Sequence, residues 1–197
     1  MDELALIRDA QSGKVESFNT LVLTYQSSVY NLAYRLIGDS EIAADATQEA
    51  FIAAYGHLAS FRGGNFKAWL MRIVTNACYD ELRRRKRRPT VSLDDPDDEQ
   101  AIQFVSTSDS PETLVQRNAL NRVIQDCLDG LPDDQRLVAI LCDVQGYDYQ
   151  EIASIARVSL GTVKSRISRA RQRLRDCLQG AGELLPESYR LQSSDRK

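Results

Sequence analysis

The side chains of this 197-residue chain with the clearest chemistry are its 25 lysines and arginines, because they are gathered rather than spread. Between residues 62 and 88 nine basic residues meet two acidic ones, a net +7, and between residues 157 and 175 seven meet none, again +7. Blocks of this kind neutralise a polyanion, and a duplex or single strand of nucleic acid is the polyanion that rewards them most. The overall charge of -3 hides them, since residues 1–61 carry -5 and residues 89–116 carry -7. The six consecutive residues Arg83-Arg84-Arg85-Lys86-Arg87-Arg88 suit phosphate contacts. The second block mixes its cations with Thr162, Ser165 and Ser168, hydroxyls that can reach base edges.

Other chemistries find little support. Cys78, Cys127, Cys142 and Cys177 form no Cys-x-x-Cys pair, and His57 stands alone, so no metal site is expected. Buried reduced thiols are the expected state, with no covalent switch. No Gly-x-x-x-x-Gly-Lys or Gly-x-Gly-x-x-Gly motif is present, so neither an enzyme nor a cofactor is expected. The Asp94 to Glu99 cluster reads as a solvated linker rather than a cation site. No apolar run reaches the length of a membrane span, and the amino terminus Met1-Asp2-Glu3 is acidic, so the expected location is the cytoplasm.

The elements that position the two blocks read as all-α. Phe18, Leu21, Val22, Tyr25, Val29, Leu32, Ala33 and Leu36 follow helical spacing until Gly38. Ser40 is expected to cap a second helix whose inner face holds Ala43, Ala46, Ala50, Phe51, Ala54, Tyr55 and Leu58. Phe61-Arg62-Gly63-Gly64-Asn65 reads as a loop, and a third helix starts at Phe66 with Phe66, Trp69, Leu70, Ile73 and Ala77 inward. It runs into the arginine tract, which Pro89 ends. The expected organisation is two small helical domains, residues 1–90 and 113–179, joined by an acidic flexible linker, 91–112, and followed by a loose tail, 180–197. In the second domain Leu120, Val123, Ile124, Cys127, Leu128 and Leu131 make one stripe, and Leu137, Ile140, Leu141 and Val144 another.

The last two helices carry the most specific pattern. Tyr149 to Ala156, a turn Arg157-Val158-Ser159, and a helix from Leu160 have the proportions of a DNA-binding helix-turn-helix. Ala153 is small where the helices cross, Val158 can fill the space between them, and Ser159 can cap the second helix. A merely solvated helix would pair its cations with acids four residues away, and none occurs from Arg157 to Arg175. In the first block, a glycine loop beside a basic helix could hold an unstacked base, although Phe66 and Trp69 also stand at core spacing.

Taken together these residues resemble a bacterial sigma factor of the extracytoplasmic-function (ECF) type, in the sigma-70 family. The first domain is similar to sigma region 2 through Asp45-Ala46-Thr47-Gln48-Glu49-Ala50-Phe51, Phe61-Arg62-Gly63, Phe66-Lys67-Ala68-Trp69-Leu70, Asn76 and Asp80. The second is similar to sigma region 4 through Leu131-Pro132, Gly146-Tyr147-Asp148-Tyr149-Gln150-Glu151-Ile152-Ala153 and Gly161-Thr162-Val163-Lys164-Ser165-Arg166-Ile167-Ser168-Arg169-Ala170-Arg171. The resemblance implies a subunit that joins core RNA polymerase and directs it to promoter DNA, usually under an anti-sigma factor. It implies that Asp45, Gln48, Glu49 and Phe51 dock on the polymerase. Arg62, Gly63, Gly64, Asn65, Asn76, Asp80, Arg83 and Arg84 would take the minus-ten element. Tyr149, Gln150, Arg157, Ser159, Leu160, Gly161, Thr162, Lys164, Ser165, Ser168 and Arg169 would take the minus-thirty-five duplex.

Three positions depart from the family. Arg157 stands where the turn often has Gly, so it either bears a left-handed backbone or sits in a different turn. Cys142 replaces a basic residue common in relatives, and the Gly63-Gly64-Asn65 loop is one residue short. An ordinary helix-turn-helix regulator with an N-terminal sensing domain would account for residues 131–178. It leaves the arginine tract and Asp45 to Phe51 unexplained.

Overall fold

The computed structural model describes residues 2–87 and 111–182, and every regular element among them is helical. The first unit is α1 (Glu3–Gln11), α2 (Val15–Ile37), α3 (Ser40–His57) and α4 (Phe66–Arg87). The second is α5 (Pro111–Asp129), α6 (Asp133–Ala139) running into a π-turn at Ile140–Val144, α7 (Tyr149–Ala156) and α8 (Leu160–Gly180). The expected linker falls almost wholly, and the tail mostly, outside the described residues.

Helix α1 has a short amphipathic pattern, with Ile7 and Ala10 buried, and its cap is Asp2, whose Oδ1 accepts from the Leu4 and Ala5 amides at 3.1 and 3.3 Å. Its last side chain closes the unit, because Gln11 Nε2 donates to the carbonyls of Leu58 and Phe61 at 3.0 and 2.9 Å.

Asp39, not Ser40, caps α3: the Asp39 carboxylate accepts from the Ile42 amide at 3.0 Å, and Ser40 is the first helical residue. Both are good capping types, and the left-handed Gly38 before them places the chain so that Asp39 is the extended residue. The inner face of α3 is Ala43, Ala46, Ala50 and Ala54, all nearly inaccessible. Such small residues let α3 lie close against α2 and α4, and they leave Phe51 half buried and Tyr55 and Ile52 exposed on its outer side. Phe51 and Tyr55 therefore do not share the core face expected of them.

The inward stripe of α4 is also turned from the expected one. Phe66 and Leu70 are buried, but Trp69, Ile73 and Ala77 are half buried, while Met71, Val74 and Cys78 are fully enclosed. Trp69 packs instead with Phe61 and Phe66 in an aromatic group under the glycine loop.

In the second unit the π-turn is closed by the Gln145 amide donating to the Ile140 carbonyl at 2.9 Å, and Gly146 in the left-handed region stops it. Gln145 Nε2 then reaches across to the Ser28 carbonyl of α2 at 3.0 Å. The cysteines correct the expectation of four free thiols. Cys127 on α5 and Cys177 on α8 form a disulfide, with Cα atoms 5.8 Å apart and 50 residues between them in sequence, and Cys78 and Cys142 are free. Closing a loop of that length restrains the unfolded chain by roughly 4 kcal/mol in the chain-entropy model.

The two units share one continuous apolar core, with Leu128, Leu131, Leu137 and Ile140 contiguous with the helices of the first. Their joint is tight at Gly38, where φ is +77° and a Cβ would stand 3.0 Å from Asp129 Oδ2. Gly38→Ala is expected to lower stability by about 1–2 kcal/mol from backbone strain alone, read as a lower chemical-denaturation midpoint. A second expectation concerns alkali. Burial pushes the Cys78 thiol up to about 12 from its ordinary value near 9. The unfolded chain thus releases this proton first, so stability present below pH 9 is lost as pH rises toward 12, at up to about 1.4 kcal/mol per pH unit. Cys78→Ala should make the alkaline fall in melting temperature shallower than in the parent chain.

Candidate nucleic-acid interface

The helix-turn-helix is built by three local devices. A capping box starts α7: Asp148 Oδ1 accepts from the Gln150 and Glu151 amides at 2.8 Å, and Glu151 Oε2 accepts from the Asp148 amide at 3.0 Å. The turn is made by Arg157, the one non-glycine described residue with positive φ, at φ 54° and ψ 47°. Of the two possibilities open in the sequence, Arg157 bears the left-handed backbone. Ser159 caps α8, its Oγ accepting from the Thr162 amide at 3.2 Å.

Helix α8 then sorts its residues by face. Val163, Ile167 and Ala170 are buried, while Leu160, Gly161, Lys164, Ser165, Ser168 and Arg169 are exposed together. Tyr149 and Thr162 are half buried, and Gln150, Arg157 and Ser159 are exposed beside them. Two of the seven cations in the block are neutralised from behind: Arg166 pairs with Asp134 at 2.9 Å, and Arg171 with Asp143 at 2.6 Å. That hydrogen-bonded pairing raises the Arg171 pKa above its ordinary value. Lys164 and Arg169 have no ion pair among the described residues, so their charge is turned to solvent. Cys142 lies against Arg171, with Nη2 3.5 Å from Sγ.

The first block is arranged differently. Arg62, Gly63 and Gly64 are exposed, both glycines have φ +95°, and nothing lies within 4 Å of where their Cβ atoms would be. Asn65 ends the loop with its Oδ1 accepting from the Ala68 amide at 2.9 Å, while its Nδ2 donates to Glu151 Oε1 of α7 at 2.6 Å. Asn76 and Asp80 are exposed on α4 one turn apart, and Asp80 pairs with Arg83. Arg84 pairs with Glu81 at 2.8 Å, and Arg85 with the capping carboxylate of Asp39 at 2.7 Å. Arg88 lies outside the described residues.

Arg72, not singled out in the sequence, and Lys67 and Lys86, read there only as parts of longer motifs, bring this face against the second unit. Arg72 donates to Ser154 Oγ at 3.0 Å, Lys86 pairs with Asp133 at 2.7 Å, and Lys67 stands 4.7 Å above the Tyr147 ring. The Tyr79 hydroxyl donates to the Asp133 carbonyl at 3.2 Å, and burial, then Asp133, pushes its pKa up to about 12. Between the units a cleft is lined by Asn76 and Arg83 on one side and Arg157 and Arg166 on the other. Candidate minus-ten and minus-thirty-five residues thus face one another. The polar residues of the first block gave no signal in the sequence for this contact, since a basic residue at a joint and one at a phosphate look alike.

On the far side of the first unit Asp45, Gln48 and Glu49 are exposed on α3. Gln48 and Phe51 belong to an apolar groove of about 590 Å³ between α2 and α3, with Val15, Phe18, Val22, Ile52 and Tyr55. Exposed Ile52 and Tyr55, four and seven residues after Gln48, were the signal available for it. No group of metal-ligating residues occurs among the described residues, and no described helix is long and apolar enough to cross a membrane.

Comparison with known proteins agrees with this division. Residues 21–88 match the family Sigma-70 region 2, and residues 121–174 match Sigma-70, region 4. The chain is 35% identical to the RNA polymerase sigma-H factor of Pseudomonas aeruginosa, over 88% of this chain and 92% of that one. It is 36% identical to the ECF RNA polymerase sigma-E factor of Escherichia coli, over 87% and 92%. The ECF sigma factor SigE of Mycolicibacterium smegmatis is 40% identical over 82% of this chain, which spans 62% of that protein's length. Among solved structures, CnrH in complex with the cytosolic domain of CnrY superimposes with a TM-score of 0.68 at 26% identity, covering 91% of this chain and 97% of that one. The Bartonella quintana sigma factor RpoE, in complex with the anti-sigma factor NepR, gives 0.63 at 28% identity, over 83% and 97%. Two helical units that match sigma regions 2 and 4 in this order make this a sigma-type transcription factor. The chain belongs to the ECF sigma factors of the sigma-70 family.

The left-handed Arg157 gives a specific expectation. Arg157→Gly should raise the stability of the second unit by about 1 kcal/mol by relieving the positive-φ cost, whereas Arg157→Ala should bring no such gain. Thermal melts of the two variants distinguish strain from a loss of charge.

Proposed function

We infer that this chain is a sigma subunit that joins core RNA polymerase in the cytoplasm and directs initiation at specific promoters. The carrying observation is the exposed face of α8, where Lys164, Ser165, Ser168 and Arg169 stand together above a buried Val163-Ile167-Ala170 stripe. Arg169 is suited to guanine and the hydroxyls to base edges in a major groove, with Arg157 and the α8 amino terminus on phosphates. In this reading the loop of Arg62, Gly63, Gly64 and Asn65, with Asn76, Asp80, Arg83 and Arg84, takes the minus-ten element. Its open glycines leave room for a base turned out of the stack. Asp45, Gln48, Glu49 and Phe51, with the adjoining groove, receive a polymerase element that is basic at its edge and apolar at its centre.

Both DNA elements cannot be read in the arrangement described. Positions ten and thirty-five base pairs upstream are separated by roughly 80 Å of B-DNA, while Asn65 and Glu151 are hydrogen-bonded. In this reading polymerase binding draws α7 from α4, and the free chain is expected to bind promoter DNA weakly. Its relatives' complexes with an anti-sigma factor support the same kind of partner for this chain.

Run-off transcription on a promoter library tests the reading. Core polymerase plus this chain should initiate at a defined sequence, and the chain alone should bind DNA poorly. Tight binding of the chain alone to a palindromic duplex, without polymerase-dependent initiation, would instead identify a free-standing repressor. Lys164→Ala and Arg169→Ala should each weaken use of the upstream element, by about 1–3 kcal/mol where a bidentate base contact is lost. Unchanged promoter strength in the double variant would remove this face from recognition.

A further inference from the structure

We propose that Cys127 and Cys177 are a redox modification site, at which an oxidant of the hydroperoxide class converts two thiols into the bond that fastens α5 to the far end of α8. The inference rests on the sigma reading, which places the chain beside polymerase in a reducing cytoplasm. There a persistent disulfide is unusual, and one that forms is commonly redox-sensing or catalytic.

The two cysteines have the unequal exposure that such a pair needs. Cys177 is exposed on the last turns of α8, where an oxidant reaches it, and Cys127 is 3% exposed on the buried face of α5 beside Val123 and Leu128. The Cys177 thiolate attacks the hydroperoxide, taking one oxygen as a sulfenic acid and releasing an alcohol or water. The Cys127 thiol then attacks that sulfur, the S–S bond forms, and hydroxide leaves as water with the Cys127 proton. Two thiols are oxidised by two electrons and one peroxide bond is reduced. The remaining cysteines do not compete, since Cys78 is enclosed with its thiol held protonated by burial, and Cys142 has no cysteine partner.

The location decides the consequence. Beyond Ala170 no described residue of α8 is buried, and Leu174 and Leu178 are only half covered. The final turns therefore rest on the core only through half-covered Leu174, and the sulfur bond is their firm tie. The loop it closes holds α6, the π-turn, α7, the Arg157 turn and the recognition face of α8, which together are the whole DNA-reading unit. Oxidation thus extends the temperature range over which region 4 stays folded. Val163, Ile167 and Ala170 seat the recognition face in either state, so its base preference does not change.

The test uses the full chain, reduced with dithiothreitol or treated with hydrogen peroxide, then alkylated with N-ethylmaleimide without reduction. The oxidised protein should carry two fewer maleimides, with peptide mapping joining Cys127 to Cys177, and its melting midpoint should lie about 10 °C above the reduced one. Cys177→Ser and Cys127→Ser should each melt like the reduced parent under both conditions. Trapping in cells should find the pair reduced before peroxide stress and bridged after it. A maleimide count unchanged by peroxide, a midpoint indifferent to oxidation, or a pair already bridged in unstressed cells would overturn the proposal. A failure of promoter-specific initiation would overturn the sigma reading instead, and none of these readouts depends on polymerase.

Discussion

The guanidinium of Arg136 meets the ends of two helices at once. Its Nη1 donates to the Leu36 carbonyl in the last turn of α2 at 2.7 Å, and its Nη2 to the Asp129 carbonyl at the end of α5 at 2.8 Å. Helix ends leave carbonyls without intrahelical partners, and burying them is costly unless something donates. Arg136 does so for both units while itself 7% exposed. Asp129 completes the charge at 3.1 Å, yet burial holds its carboxyl above the usual range in spite of that neighbour. The carbonyls, rather than the ion pair, are therefore the main reason for the geometry. Gln125 accepts from Arg35 and donates to its carbonyl nearby, and Gly38 leaves the space that Asp129 occupies. At this end of the joint between region 2 and region 4, Asp129, Gln125, Arg35 and Gly38 are arranged around this one side chain.

How much was legible in the sequence follows from how local each cause is. The helix-turn-helix was readable because its spacing, cap and apolar stripe all lie within Tyr149 to Ala170. The all-α class followed from periodicity in the same way, and the two-unit division from the acidic, proline-bearing stretch between the apolar stripes. Asp39 and Ser40 could not be separated as caps by type, because the choice depends on the left-handed Gly38 before them. Helix α1 was missed although Ile7 and Ala10 are spaced for it, since nine residues give too few turns for a clear stripe. The rotation of α4 depends on α3 lying close through its alanines, which is a tertiary cause. The disulfide joins residues 50 apart, and no local spacing marks such a pair.

The candidate site shows the same limit. Lys164 and Arg169 look like Arg166 and Arg171 in sequence, but Asp134 and Asp143 hold the latter two and leave the former outward. Arg72 and Lys86 belong to the same basic block as Arg83, yet they are engaged across the joint. A cluster of cations is visible from composition, whereas the division of labour within it comes from acids that the fold brings close.

The pair Lys86–Asp133 crosses the joint with its lysine 68% exposed, so dissolved ions reach it freely. Screening loosens such a contact and eases separation of the two units. The same ions weaken every phosphate contact the separated units would make. Ionic strength therefore pulls the chain in opposed directions, releasing its DNA faces while lowering what they gain from DNA. One exposed ion pair counts for little beside several phosphate contacts, so promoter affinity still falls with ionic strength, only less steeply than for a protein whose binding face is always open.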